Sequence, residues 1–453
     1  MPAQPANQPP AFSSAASASV AENVTGPVYQ AVASDPNGDA LTYAIVGGAD
    51  AARFTLSATG QLAFVDPPNY DLPADADRNN VYEVQIGASD GKASTTLAVA
   101  VTVTNSKEGV YLHRLGTGFT DPVAIASKDP ATMLVAEKAG AIYSLNMVTG
   151  VKTLLLQLGN VGPVGVVAMS YGPGAFIDGS FFVMYTTQTG FLVVTHFARN
   201  SSGTYYEDAA RPVLAINAPN YAGGGALIYA SEALYAAIGD GGGIGDPSGS
   251  AQNDSSMLGK LLRIVTNPDP YAGAAPAPYL VSTVAKGLHR PRGGMGYFAG
   301  TVFADRGQDL AEEIDLLPLN TSGANFGWPY KEGSRSVAGT PPAGLTDPVL
   351  EYYRTGGLRT GHAIIGGALG PGAVASLRDQ FLFADESGAI FTVKTSAIAA
   401  GKTLVSDVFE RRDADFAPTI GTLTHPVVLY YSVDAQLFLV DAGGDIFRIE
   451  AGS

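Results

Sequence analysis

Apolar positions along this chain fall in short alternating runs. Between residues 11 and 105 the segments PVYQAVAS, ALTYAIVG, FTLSATGQLAFV, VYEVQIGAS and STTLAVAVTVT are separated by clusters of Asp, Asn, Pro and Gly. Alternation bounded by turn residues predicts short strands that pair into a β-sandwich. After Gly109 the texture changes to repeated apolar strand pairs: TMLVAEKAGAIYSL, SFFVMYTTQTGFLVVTHF, ALIYASEALYAAIG, GTVFADRGQDLAEEIDLL, DQFLFADESGAIFTVK and PVVLYYSVDAQLFLVDAGGDIFRIE. Their repetition without a helical period predicts radial repeats around an axis. The chain therefore reads as all-β in three parts. Residues 1–10 (MPAQPANQPP) form a disordered lead-in, 11–108 the sandwich and 109–453 the radial array.

Composition supports this division. A length of 453 residues exceeds one comfortable core. The 55 glycines and 29 prolines suit many turns, and 46% hydrophobic residues suffice for large cores. A formal charge of −15 argues against nucleic-acid binding, which needs clustered Lys and Arg. Acidity suits Ca²⁺, cationic surfaces or solubility. No apolar run approaches the roughly 20 residues of a membrane helix. Cysteine is absent, which removes disulfides and thiol chemistry and fits an exported bacterial protein. No charged and apolar leader opens the chain, so a periplasmic or extracellular protein whose signal peptide has been removed is expected.

Candidate chemistry concentrates in Asn220–Ile264. Three glycines, Gly223 to Gly225, lead into an apolar hairpin that ends in Gly239-Asp240-Gly241-Gly242-Gly243 and delivers one acid to a glycine loop. Asp-Gly is also an ordinary turn signal, so these residues alone leave both readings open. The stretch as a whole resembles the PQQ-dependent soluble sugar dehydrogenases. Their pattern H-x-G-G-x-L, then L-Y-V-T-x-G-D-x-G, then L-G-K-[IVL]-L-R is matched by Gly223-Gly224, by Leu234 to Asp240 and by Leu258 to Arg263. The resemblance extends over about 112–450 and implies a six-bladed β-propeller whose closing strand, Gly444 to Ile449, pairs with the first. In one departure, Tyr221 stands at the position of the catalytic histidine. A phenol titrates near 10, so Tyr221 would be a poor base without a cation to lower its pKa, and packing is the competing role.

Further correspondences imply the remainder of a site. Asn160 stands where the family has a glutamine that touches substrate or quinone. His289 and Arg290, in Gly287-Leu288-His289-Arg290-Pro291-Arg292, replace the Arg and Asn that hold the quinone. Asp305 to Ile314 resembles D-x-G-Q-D-x-x-E-E-[IV], which implies backbone carbonyls of Gly307 and Gln308 as Ca²⁺ ligands. Gly323 to Pro329 matches G-x-N-[YF]-G-W-P, with Trp328 either walling the sugar site or anchoring a blade. The family's later loops are altered by Arg354, Arg359 and His362, and Asp385-Glu386 puts acids where quinone carboxylates need cations.

Residues 11–108 resemble bacterial cadherin-like domains. Ala21-Glu22-Asn23 stands for P-E-N, Asn69-Tyr70 through Asp75-Ala76-Asp77 for N-Y-E-x-P-A-D-A-D, and Tyr82 to Gly91 for Y-x-V-x-V-x-A-x-D-G. The resemblance implies Glu22, Asp75 and Asp77 as Ca²⁺ ligands, with acids that merely solvate loop ends as the alternative. The linker motif is weakened to Asn105-Ser106-Lys107-Glu108. Three functions remain open: a PQQ- and Ca²⁺-dependent oxidoreductase of an aldose or related alcohol with Tyr221 and Asp240 as catalytic pair; an adhesion protein binding a glycan or a cell-surface partner; and a lyase or hydrolase at the propeller mouth.

Overall fold

The computed structural model describes every residue except 1–5, 128, 173–178, 201, 203, 208–212, 268–278, 298, 357–358, 433 and 453. Two compact units divide between Glu108 and Gly109. Among the described residues all regular structure is strand, apart from four single turns of 3-10 helix.

In the amino-terminal unit one sheet runs in the order Ser17–Ala21, Ser94–Thr104, Val81–Ser89, Thr42–Gly47, and a second in the order Pro27–Gln30, Gln61–Phe64, Phe54–Leu56. The alternation of Val81–Ser89 explains the packing: Tyr82, Val84 and Ile86 are buried while Glu83 and Gln85 face solvent. Phe54, Leu62 and Val101 complete a core shared by both sheets. Tyr82 stands edge-on to Phe64 at 5.0 Å, and its hydroxyl accepts the Ala74 N–H at 3.1 Å. The expected lead-in lies partly outside the described residues. Its second half is held in place, with Asn7 Nδ2 donating to Asp90 at 2.8 Å and the Gln8 amide to Asn37 Oδ1 at 2.8 Å.

Among the described residues the second unit contains six sheets of at least four strands, antiparallel except for a parallel edge strand in two of them. Their innermost strands are Pro122–Ser127, Val161–Tyr171, Gly225–Ala230, Arg290–Tyr297, Ile364–Leu369 and Pro426–Tyr431. Each packs against the next and the last against the first, which makes a six-bladed propeller. Second strands such as Phe181–Thr187 are buried throughout, which is why their sequences read as continuous apolar runs. Innermost strands carry small residues because neighbours approach backbone to backbone. A Cβ on Gly293 would lie 2.5 Å from the Ile365 carbonyl oxygen. The channel between them holds a cavity of about 330 Å³ lined by all six blades, Ser127, Tyr171, Tyr229, Met295 and Tyr430 among them.

The ring closes through the earliest strand of the unit. Val110–Gly116 pairs antiparallel with Ile446–Ala451 as the outermost strand of the sixth blade, with Leu112 opposite Ile449. Leu112 is 3% exposed and belongs to the largest apolar cluster. Leu112→Ala should therefore lower propeller stability by about 2–5 kcal/mol in chemical denaturation. A loss below about 0.5 kcal/mol would show that closure does not depend on this contact.

Candidate functional site

In an antiparallel blade the start of the innermost strand and the end of the second strand lie together, as Arg290 opposite Arg306 and Ile364 opposite Asp385 show. Loops that enter innermost strands and leave second strands therefore gather at one mouth of the channel. Tyr221, Asp240, His289, Gly307 and Glu386 all belong to such loops, and Arg290 opens an innermost strand there. Backbone packing at this mouth is tight. A Cβ on Gly239 would stand 1.9 Å from Gly223 O and 2.5 Å from His289 O, so only glycine fits.

Asp240 is 2% exposed and accepts the Trp328 indole N–H and the Gly242 amide, each at 2.8 Å. Burial raises its pKa, against the pull of those donors. Trp328 in turn stacks on the His289 ring, with centroids 4.0 Å apart and planes inclined by 27°. The imidazole Nδ1 lies 2.7 Å from the Arg306 carbonyl oxygen, which can only accept, so Nδ1 carries the proton. Burial, and then the charge of Arg290, push the His289 pKa down to about 3. His289 is thus neutral at pH 7, with a lone pair on Nε2, which is buried and without a hydrogen-bond partner.

Around this ring the mouth is cationic. The Nε atoms of Arg290, Arg292 and Arg354 are likewise buried and have no hydrogen-bond partner. Arg292 has its pKa pushed down to about 10 by burial and then by the charge of Arg306. Arg306 donates Nε to Ile364 O at 2.9 Å and pairs with Glu386. Asp385 sits 0% exposed and accepts the His362 and Ala363 amides and the Tyr352 hydroxyl. Burial opposes its ionisation, yet its hydrogen bonds, the Ser387 side chain first, prevail and lower its pKa. The two acids expected to repel an anion are therefore committed to protein partners, and buried guanidinium donors remain. A carboxylate-rich ligand such as PQQ fits that donor set.

Calcium does not fit it. The Gly307 carbonyl accepts Arg354 Nη2 at 2.7 Å, and the same nitrogen meets Glu312 at 2.5 Å. Gln308 turns its side-chain oxygen to the Gly245 amide at 2.8 Å. Of the two expected backbone ligands, the Gly307 carbonyl is thus engaged by a guanidinium.

Tyr221 is buried and braced by backbone. Its hydroxyl donates to Gly224 O and accepts the Gly239 N–H at 3.1 Å, while burial raises its pKa. Asn160 is exposed and accepts the Gln188 amide at 3.3 Å. His362 is exposed and Arg359 buried. In the amino-terminal unit Asp75 and Asp77 lie side by side, burial and then the Asp77 carboxylate raising the Asp75 pKa against backbone donors, and Glu22 stands on a separate loop. Glu22 accepts the amides of Tyr70 and Ser106, Asp75 those of Asn79 and Asn80, and Asp77 the Asn79 side chain. These acids fix the loops that carry them. The propeller acids that do converge among the described residues, Asp305, Glu313 and Asp315, lie within one blade, where burial raises all three pKa values.

From sequence, Arg292, Arg306 and Glu312 carry no assigned role, and Arg354 stands only as an altered loop residue. One signal was present: Arg290 and Arg292 stand two apart on one innermost strand and so share a face.

No protein-family model matches the chain. Two plant proteins of Arabidopsis thaliana, HIPL2 and HIPL1, are 30% and 33% identical in alignments of 163 and 125 residues that cover 28% and 22% of this chain. The chain spans only 23% and 17% of their lengths. Among solved structures, the PQQ-bound aldose sugar dehydrogenase of Streptomyces coelicolor superposes with TM-score 0.57 at 19% identity, over 75% of this chain and 97% of that one. The apo soluble aldose sugar dehydrogenase of Escherichia coli gives 0.54 at 15%, over 76% and 99%. The calcium structure of a Trichoderma reesei family AA12 protein gives 0.55 at 15%, over 76% and 96%. The fold of the sugar-dehydrogenase propellers thus covers about three quarters of the chain.

The single tryptophan makes the Asp240 contact measurable. Its emission should titrate with a midpoint above the ordinary Asp value of about 3.9, and Asp240→Asn should abolish that transition. Because the folded pKa is raised, this group favours the folded state at acid pH and loses that contribution as pH rises through the folded pKa. A pH-independent emission would sever Asp240 from Trp328.

Proposed function

We propose that this protein is a quinoprotein-type oxidoreductase, binding PQQ at the cationic propeller mouth and oxidising an aldose or related alcohol. One observation carries the reading: four buried nitrogens at that mouth, on His289, Arg290, Arg292 and Arg354, lack hydrogen-bond partners. Such groups are costly unless a ligand completes them. The arginines suit the carboxylates of PQQ, which is bound by the Streptomyces relative, and neutral His289 suits a sugar hydroxyl.

When bound, the quinone supplies the electron sink for alcohol oxidation. The chain does the rest. Arg290 and Arg292 neutralise and orient the anion. His289, fixed in its tautomer by the Arg306 carbonyl and in its plane by Trp328, accepts the hydroxyl proton at Nε2. Anionic charge arriving nearby raises the basicity of that nitrogen. Asp240 holds Trp328, and Tyr221 holds the glycine loop that carries Asp240. We read the amino-terminal unit as a cadherin-like accessory module and the protein as exported to the periplasm or beyond.

A second reading is favoured by Tyr221. Since the phenol is locked onto backbone, the mouth has lost the group that the resemblance makes catalytic, and glycan recognition without redox chemistry would need no base.

Dye-linked oxidation after incubation with PQQ tests the first reading across aldoses and alcohols. Turnover is expected, with His289→Gln lowering kcat by about a hundredfold while PQQ affinity stays within about threefold. Arg290→Ala should weaken PQQ binding by about tenfold or more. Saturable glycan binding without quinone uptake would replace this reading with the second.

A further inference from the structure

The loop after strand Gly300–Arg306 is shaped by protein groups alone. The amides of Gln308, Asp309 and Leu310 all donate to the Glu332 carboxylate. The Gly307 carbonyl is turned to Arg354, whose Nη2 sits 2.7 Å from it and 2.5 Å from Glu312 Oε1. Glu312 is 0% exposed, and its other oxygen accepts the Ile364 amide at 3.1 Å. Arg354 is thus fixed from two elements, while its Nε stays buried and without a hydrogen-bond partner.

Calcium stands about 2.3–2.6 Å from its oxygens. On the Gly307 carbonyl it would lie beside a guanidinium already bonded to that same oxygen, and like charges at such range repel strongly in a half-buried site. Glu312 does not relieve the conflict, because its oxygens already serve Arg354 and Ile364. Arg354 therefore presents a permanent positive charge where a metal would present an exchangeable one. With Arg290 and Arg292 it completes a set of fixed cations with buried, unpartnered donors.

We propose that Arg354 takes the place of a divalent cation in this mouth, so that a polycarboxylate ligand is held by fixed guanidinium charge with no requirement for calcium. This inference rests on reading the mouth as a quinone-carboxylate site. Both can be tested in one calorimetric titration of the full chain, in resin-demetallated buffer with and without about 1 mM Ca²⁺. PQQ and the redox-inert benzene-1,3,5-tricarboxylate serve as probes.

The expected result is PQQ affinity equal within about twofold in both buffers. Arg354→Gln should weaken metal-free uptake by about tenfold or more, and added Ca²⁺ should restore part of it, since the Gly307 carbonyl is then released. Wild-type uptake that tightens by about tenfold or more with Ca²⁺ would overturn the proposal and leave the quinone reading standing. Metal-free binding of the tricarboxylate without PQQ uptake would sustain the proposal and sink the quinone reading. Binding of neither anion would overturn both. The wild-type arms decide the question even if Arg354→Gln does not fold.

Discussion

The mouth of this propeller depends on one repeated interaction, a carboxylate at the end of a second strand clamping the amides that open the innermost strand of the same blade. Glu137 accepts the Thr120 amide, Asp305 those of His289 and Arg290, Asp385 those of His362 and Ala363, and Asp441 those of Thr424 and His425. All four acids are buried. Each turns a segment with no sheet partner into one of defined direction, at a place where an unmet amide would be costly. The rim of the channel is rigid because its entering strands are pinned one by one.

Against that repetition Asp240 is the exception. It holds the corresponding position in the third blade, yet its acceptors go to its own loop at Gly242 and to the Trp328 indole. Tyr221 has taken over the bracing, joining Gly224 to Gly239. The tyrosine thus frees an acid to orient an aromatic ring, which in turn flanks the His289 imidazole with its buried, unengaged Nε2. Charge follows the same logic: the acids are consumed by backbone and by Arg306 and Arg354, and the cations keep donors that no protein group meets.

Much of the architecture was legible in the chain. Alternating and continuous apolar runs marked half-buried and fully buried strands, and the strand-ending acids recur visibly at Glu137, Asp240, Asp305, Asp385 and Asp441. What sequence could not convey was the partner of each acid. Asp385 and Glu386 read as repulsive to an anion until Tyr352, two amides and Arg306 are seen to hold them. Gly307 read as a metal ligand because its motif resembles one whose carbonyls bind Ca²⁺, whereas its engagement by Arg354, 47 positions away, is a tertiary fact. Tyr221 read as a candidate base because it stands at the position of the family's histidine, whereas its burial and its bonds to Gly224 and Gly239 are visible only in the fold.

Ring closure has a consequence for biogenesis. His113 and Glu450, on the two strands that shut the propeller, lie 337 positions apart. Until the later strand has been synthesised, Val110–Gly116 has no partner and presents unpaired edges able to pair with other chains. Contacts of such long range form slowly. A nascent or truncated chain is therefore sticky for most of its production, and a cell making this protein must shield it until the last turn of the ring is in hand.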